Sequence, residues 1–203
     1  YENYSVKQFA NDAFLFIENV IKEPVNIAGL SLGGVIAFQL AADHPEVIKT
    51  LSIVNSIPEF KTDSIYLKFK LYSRIFITKL FGMRAIGRLL SKQLLKGEKY
   101  DQLKDQLIEE ISQNSKRCYL NTIKAMNGWS VVDQLNNIFI PILMVSAEFD
   151  YAPVDLKEYY INKMNNAELK VIKNSRHALP IEKPDELNSV IFDFLKRNKQ
   201  YPD

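Results

Sequence analysis

A serine held between two glycines, Gly29-Leu30-Ser31-Leu32-Gly33, is the stretch of this chain with the clearest capacity for chemistry. A hydroxyl becomes a useful nucleophile only when a neighbouring base takes its proton and a further group holds that base in place. The glycine spacing gives the serine a reason to stand out. A sharp turn from strand into helix drives the residue at its tip into a strained backbone conformation and aims its side chain off the sheet. Strand and helix then come so close that the flanking positions have almost no room for a Cβ. The helix that opens there also turns its free N–H groups toward the serine, where they favour negative charge.

The base has two candidates, His44 and His177. Imidazole titrates near pH 6.5, which makes histidine the usual base at neutral pH. His44 sits in the Asp43-His44-Pro45 turn and reads as structural. His177 sits in the loop Asn174-Ser-Arg-His177-Ala-Leu-Pro180 and is the candidate base. The candidate carboxylates to orient it lie in Ala147-Glu148-Phe149-Asp150, directly after a fully apolar run. Asp155, a little further on, reads as the cap of the next helix.

These residues need elements to hold them. Val25 to Leu30 reads as a short apolar strand and Val35 to Ala42 as a helix, stopped by His44-Pro45. Ahead of them, Ser5 caps a helix reaching about Lys22, with Val6, Phe9, Ala10, Ala13, Phe14, Ile17, Val20 and Ile21 on one face. Thr50–Asn55, Ile138–Ser146 (with Pro141 at its edge) and Leu169–Ile172 read as strands, Asp155–Met164 and Pro184–Lys196 as helices. The alternation predicts an α/β fold with a parallel sheet, whose ligand groups collect at the C-terminal ends of the strands. From Ile57 to Asn137 the periodicity is helical throughout, with Gly82, Gly87 and Gly97 marking breaks and Asp101–Tyr119 reading as one helix.

Gly29-Leu-Ser-Leu-Gly-Gly34, the helix behind it and Asp43-His-Pro-Glu-Val-Ile-Lys-Thr-Leu-Ser-Ile-Val-Asn55 together resemble the α/β-hydrolase superfamily. The ending His177-Ala-Leu-Pro-Ile-Glu182-Lys-Pro184 resembles it too. The resemblance implies that residues 1–56 and 138–203 form the core and residues 57–137 an inserted helical cap. The strand at Val25 would be the fifth of the sheet, with about 60 residues of strand and helix before it. The family order of nucleophile, acid and base falls on Ser31, Asp150 and His177. Where the family usually has Gly-x-x-Asp, this chain has Ala147 and a competing Glu148; Asp150 is preferred. Asn55 stands where some relatives keep the acid, and an amide cannot carry that charge. The Leu32 N–H would be one oxyanion donor. The second comes from a loop after the third strand, outside this chain. One such donor is worth about 2.7–4 kcal/mol, so the isolated chain is expected to be weakly active or inactive. It is also expected to be poorly soluble, with its elbow strand an open sheet edge.

The implied reaction is cleavage of a carboxylic ester, lactone or thioester through an acyl-enzyme, with no cofactor and no metal. The same three residues serve acyl transfer to another acceptor or C–C cleavage. A non-catalytic binding scaffold of this fold is the alternative of a different class. A dehalogenase is disfavoured, because relatives with that chemistry have Asp at the Ser31 position.

Bulk properties narrow the partners. A net charge of +2 gives no argument for a nucleic-acid partner. The single cysteine, Cys118, cannot form an internal disulfide and reads as a small buried residue. Nothing points to an oxidising compartment, and a cytoplasmic location is the expectation. From Lys61 to Lys99 ten Lys or Arg face two acids, Asp63 and Glu98, among interrupted apolar stripes. The plain reading is a solvated basic face; the functional one is a weak contact with an anionic membrane surface or substrate group.

Overall fold

The computed structural model describes residues 4–61 and 65–198, without the side chains of Tyr66, Leu67 and Lys70. It divides into a sheet unit, within Ser5–Phe60 and Trp129–Asp203, and a helical unit, within Lys61–Gly128 together with Tyr4.

In the sheet unit, β1 (Val25–Leu30), β2 (Ile48–Val54), β3 (Ile142–Ala147) and β4 (Ala167–Ile172) pair in chain order, all parallel. All six residues of β3 are buried, and in β2 only Lys49 is exposed. Continuous apolar runs of this kind belong to strands covered on both faces. Period-two alternation then sorts β3 between two cores. Ile142 and Met144 join Phe38, Leu51 and Ile53 on one side. Leu143 and Val145 join Leu179, Leu187 and Phe194 on the other.

The helices follow from the same logic. In α1 (Val6–Phe16) the Ser5 hydroxyl accepts the Gln8 N–H at 3.0 Å, and Val6 and Ala10 are buried. The helix then widens into a π turn over Ile17–Ile21 and stops at Lys22, with φ 65°. That wide turn breaks the 3.6-residue register, so Val20 and Ile21 leave the expected apolar face and are exposed. The helix α2 (Leu32–Asp43) lies against α1 and β1. The helices α6 (Val154–Ile161), α7 (Leu179–Glu182) and α8 (Pro184–Arg197) complete the unit.

The compact helical unit takes in residues 61–128 of the stretch 57–137. Residues 57–60 and 129–137 belong with the sheet: Glu59 bridges Ser130, and Val131 and Leu135 are in the core. In the helical unit α3 (Ile65–Leu94) breaks at Gly82, with φ 78° and ψ −174°. Gly97, at φ 106°, precedes a 3₁₀ turn, as expected of a break. Gly87 is different. It stays helical, and a Cβ there would come within 3.1 Å of the Ile108 backbone, so it permits close helix packing instead of ending a helix. The expected helix Asp101–Tyr119 is two, α4 (Asp101–Ser112) and α5 (Lys116–Met126), because Ser115 leaves helical geometry and caps α5. Cys118, on the first turn of α5, is exposed and not buried. Asp63 lies outside the described residues.

Candidate active site

One residue separates β1 from α2. Ser31 has φ 53° and ψ −114°, a region that non-glycine residues avoid. Neighbouring structure holds it there. Its N–H donates to the Val54 carbonyl at 3.0 Å, and its carbonyl accepts the Val35 N–H at 3.1 Å. The glycines divide their work differently from the expectation. A Cβ on Gly29 would sit 2.6 Å from the Gly33 carbonyl group, and one on Gly34 would sit 2.5 Å from the Ser56 Cβ. A Cβ on Gly33 meets nothing within 4 Å. The steric demand therefore falls on Gly29 and Gly34. Gly29→Ala is expected to lower stability by about 1–3 kcal/mol through overpacking. Gly33→Ala should stay within about 1 kcal/mol of the parent, since alanine favours the helix it enters. Thermal denaturation of the two variants checks the contrast, and equal losses would contradict it.

The loops after β3 and β4 bring the other two candidates to this turn. His177 Nε2 lies 3.0 Å from Ser31 Oγ, and His177 Nδ1 lies 2.5 Å from Asp150 Oδ1. An ionised carboxylate only accepts, so Nδ1 carries the ring proton and Nε2 is left to accept from the serine hydroxyl. The Asp150 side chain is 1% exposed and that of His177 14%. The Tyr151 ring stacks on the imidazole, with centroids 4.3 Å apart. The second carboxylate oxygen, Asp150 Oδ2, accepts from Lys157 Nζ at 2.5 Å. Burial pushes the Asp150 carboxyl up, but the His177 hydrogen bond and the Lys157 charge outweigh it and hold the group below its ordinary range. Burial in turn pulls the Lys157 ammonium below its ordinary range, against the opposing pull of Asp150.

Glu148 does not meet the histidine. It accepts the Asn174 N–H at 2.8 Å and pairs with Lys173 at 3.5 Å. The Asn174 hydrogen bond chiefly holds its carboxyl below the ordinary range. His44 stacks on Phe14 at 3.8 Å and faces Glu46, within the fold's frame. Asp155 is not the cap of α6: Pro153 takes that position, and Asp155 accepts the Leu156 N–H from inside the first turn. Leu32 opens α2, so its N–H lies beside Ser31 and ahead of any acceptor in a preceding helical turn. Among the described residues, no group of three or more His, Cys, Asp and Glu is placed to hold a metal ion.

Asn55 does more than stand in for an acid. At φ 48°, its Nδ2 donates to the His177 carbonyl at 3.0 Å and its Oδ1 accepts the Ala147 N–H at 2.7 Å. It thus ties the end of β2 to the histidine loop and to β3. Ser175 Oγ on the Ile172 carbonyl and the Glu182 carboxylate on the Arg176 N–H close that loop from the other side. Asn55→Leu strands two backbone groups, one of them on buried β3. It is expected to cost about 1–3 kcal/mol, with activity falling further than stability alone explains. A normal pH–rate profile at unchanged kcat/KM would contradict the positioning role.

A parallel sheet that gathers a serine, a histidine and a buried carboxylate at its strand ends has the architecture of α/β-type hydrolases. The family model described as alpha/beta hydrolase fold matches residues 1–184. The chain belongs to that family and is a hydrolase of this fold. A pimeloyl-[acyl-carrier protein] methyl ester esterase of Neisseria meningitidis is 23% identical over 87% of this chain and 70% of its own length. A chloroplastic pheophytinase of Arabidopsis thaliana is 42% identical, over 27% of this chain and 11% of its own length. Among solved structures, the enol-lactonase of Burkholderia xenovorans superposes with a TM-score of 0.84 at 18% identity, over 95% of this chain and 74% of that one. An α/β hydrolase from a deep-sea metagenome, MGS-M2, gives 0.85 at 24% identity, over 96% and 73%.

Proposed function

We propose that the chain carries the nucleophile, base and acid of a serine hydrolase that cleaves a carboxylic ester, lactone or thioester. The observation that carries this is the hydrogen-bonded line from Ser31 Oγ through His177 to Asp150, with Ser31 in a strained turn at a helix start. Ser31 Oγ attacks the acyl carbon while its proton passes to His177 Nε2, and Asp150 stabilises the imidazolium that forms. The Leu32 N–H stabilises the oxyanion. Collapse of the tetrahedral intermediate breaks the acyl–O or acyl–S bond, and His177 returns the proton to the leaving group. Water, deprotonated by His177, then attacks the acyl-serine and releases the acid. The similarity to a methyl ester esterase puts methyl esters among the first substrates to screen.

Intact-mass labelling of the protein with a fluorophosphonate tests the reading. One adduct is expected in the parent and none in Ser31→Ala or His177→Ala. A folded parent that takes no adduct overturns it and leaves a binding scaffold.

A second reading concerns a partner, and a specific feature of the helical unit favours it. On α3, Ile65, Phe69, Tyr72, Phe76 and Leu80 follow helical spacing and are between 61% and 87% exposed. Lys68 and Lys79 are exposed beside them. A basic, aromatic helix face suits weak contact with an anionic membrane. Co-sedimentation with phosphatidylglycerol vesicles is expected at low salt, weakened in Phe69→Glu. Equal recovery with neutral vesicles would contradict it.

A further inference from the structure

We propose that Lys157 is a positioning residue of the site: its buried ammonium holds the free oxygen of Asp150 and sets the pH range over which the site works. The inference rests on the reading of Ser31, His177 and Asp150 given above.

Sequence gives Lys157 no distinction. A lysine on a short helix reads as a solvent-facing charge. Here it lies on the first turn of α6, seven residues after Asp150, and its side chain is 0% exposed. The chain turns at Tyr151–Pro153, so the side chain points back under the loop it has just left. Nζ donates to Asp150 Oδ2 at 2.5 Å and to Ser146 Oγ at 2.7 Å. Ser146 Oγ passes its own hydrogen to the Ala147 carbonyl at 2.9 Å. Both carboxylate oxygens are therefore occupied, one by the imidazole and one by the ammonium. Four groups stand in line: Lys157, Asp150, His177, Ser31.

Burying an ammonium is costly, and an apolar side chain of similar length would often give an equally stable or more stable fold. What methionine would not supply is charge. A full positive charge on Oδ2 keeps Asp150 ionised in a site where burial alone favours its neutral form. An acceptor-only Asp150 keeps the ring proton on Nδ1. The same charge opposes a further positive charge at the other end of the carboxylate, so the working pH range of the site depends on it. The other ionisable groups around the site have partners of their own. Glu148 is engaged by Asn174 and Lys173, and Glu182 by the Arg176 N–H. The Arg176 guanidinium lies over the Phe149 ring, and Glu59 accepts from Tyr160 one turn along α6. Tyr151 meets His177 by its ring face. Lys157 is the charge in direct contact with the carboxylate.

Two measurements on the full-length protein test this. Lys157→Met is expected to raise the acid-limb midpoint of fluorophosphonate labelling by roughly one pH unit. A merely structural lysine would lower the plateau and leave the midpoint in place, and that result overturns the proposal. Should Lys157→Met not fold, the parent alone decides. Its Lys157 ¹⁵Nζ resonance is expected to step at the acid-limb midpoint of labelling, because coupling between two sites is reciprocal. A resonance that stays flat through that midpoint overturns the proposal. A parent that takes no fluorophosphonate yet shows a step keeps the charge coupling and removes the hydrolase reading, so the two failures are told apart.

Discussion

Ser31→Ala is expected to lower kcat/KM for ester cleavage by about 10⁴–10⁶-fold while leaving the fold intact. The two side chains differ by one oxygen, and that oxygen makes the 3.0 Å contact with His177 Nε2. The backbone demand is the same for both, since each carries a Cβ at φ 53°. The melting temperature should therefore stay within a few degrees. Ser31→Gly separates strain from chemistry. Glycine adopts this conformation freely, so the variant should be as inactive as Ser31→Ala but more stable by up to about 1–2 kcal/mol. Activity assays and thermal denaturation of the three proteins check the pair. Ser31→Ala with near-parental turnover would remove Ser31 as nucleophile. Ser31→Gly less stable than Ser31→Ala would show that the turn is not strained.

The parts of this arrangement that were legible in sequence are those written in local pattern. Gly29-Leu-Ser-Leu-Gly-Gly34 marked a tight strand-to-helix turn, and the apolar runs of β2 and β3 marked buried parallel strands. Pattern could not say which glycine was under pressure. That depends on the Gly33 carbonyl and on Ser56 coming close in space, and it moved the demand from Gly33 to Gly34. Asn55 and Lys157 were illegible for a related reason. Their roles are made by partners far along the chain or across a reversal of it: Asn55 meets His177, and Lys157 folds back to Asp150. A polar residue at a strand end and a lysine on a helix have no local signature that separates such contacts from exposure to water. The split of Asp101–Tyr119 was different. Ser115 is a helix-capping residue type inside an all-polar run, residues 112–117, so the signal for a break was present in the sequence.

Asp150→Asn should damage both activity and stability, and the second effect distinguishes it from an ordinary loss of a catalytic group. For activity, an amide can turn its NH₂ toward Nδ1 and stabilise the tautomer protonated at Nε2. That ring cannot accept the Ser31 proton, and a loss of about 10⁴-fold in kcat follows. Glu148→Gln, altering the other carboxylate of the loop, should stay within about tenfold, because Glu148 contacts Asn174 and Lys173 and not the imidazole. For stability, the amide leaves the buried Lys157 ammonium without its counter-charge, at a cost of about 3–5 kcal/mol. The pH dependence carries the sign. The Asp150 carboxyl is held below its unfolded value of about 3.9, so its contribution is complete above that pH and is lost as pH falls through the lower folded value. This acid-side loss should be absent in Asp150→Asn. Lys157 works in the opposite direction. Its ammonium is held below its unfolded value of about 10.4, so the unfolded chain binds that proton more tightly and stability rises with pH between the folded value and 10.4. Removing the carboxylate takes away the interaction that favours the ammonium and widens that window downward. Asp150→Asn should therefore regain part of its lost stability between neutral and mildly alkaline pH, where the parent gains less. Denaturant titrations of both proteins at several pH values measure this, and parallel stability curves would show that Lys157 is not the group left unpaired.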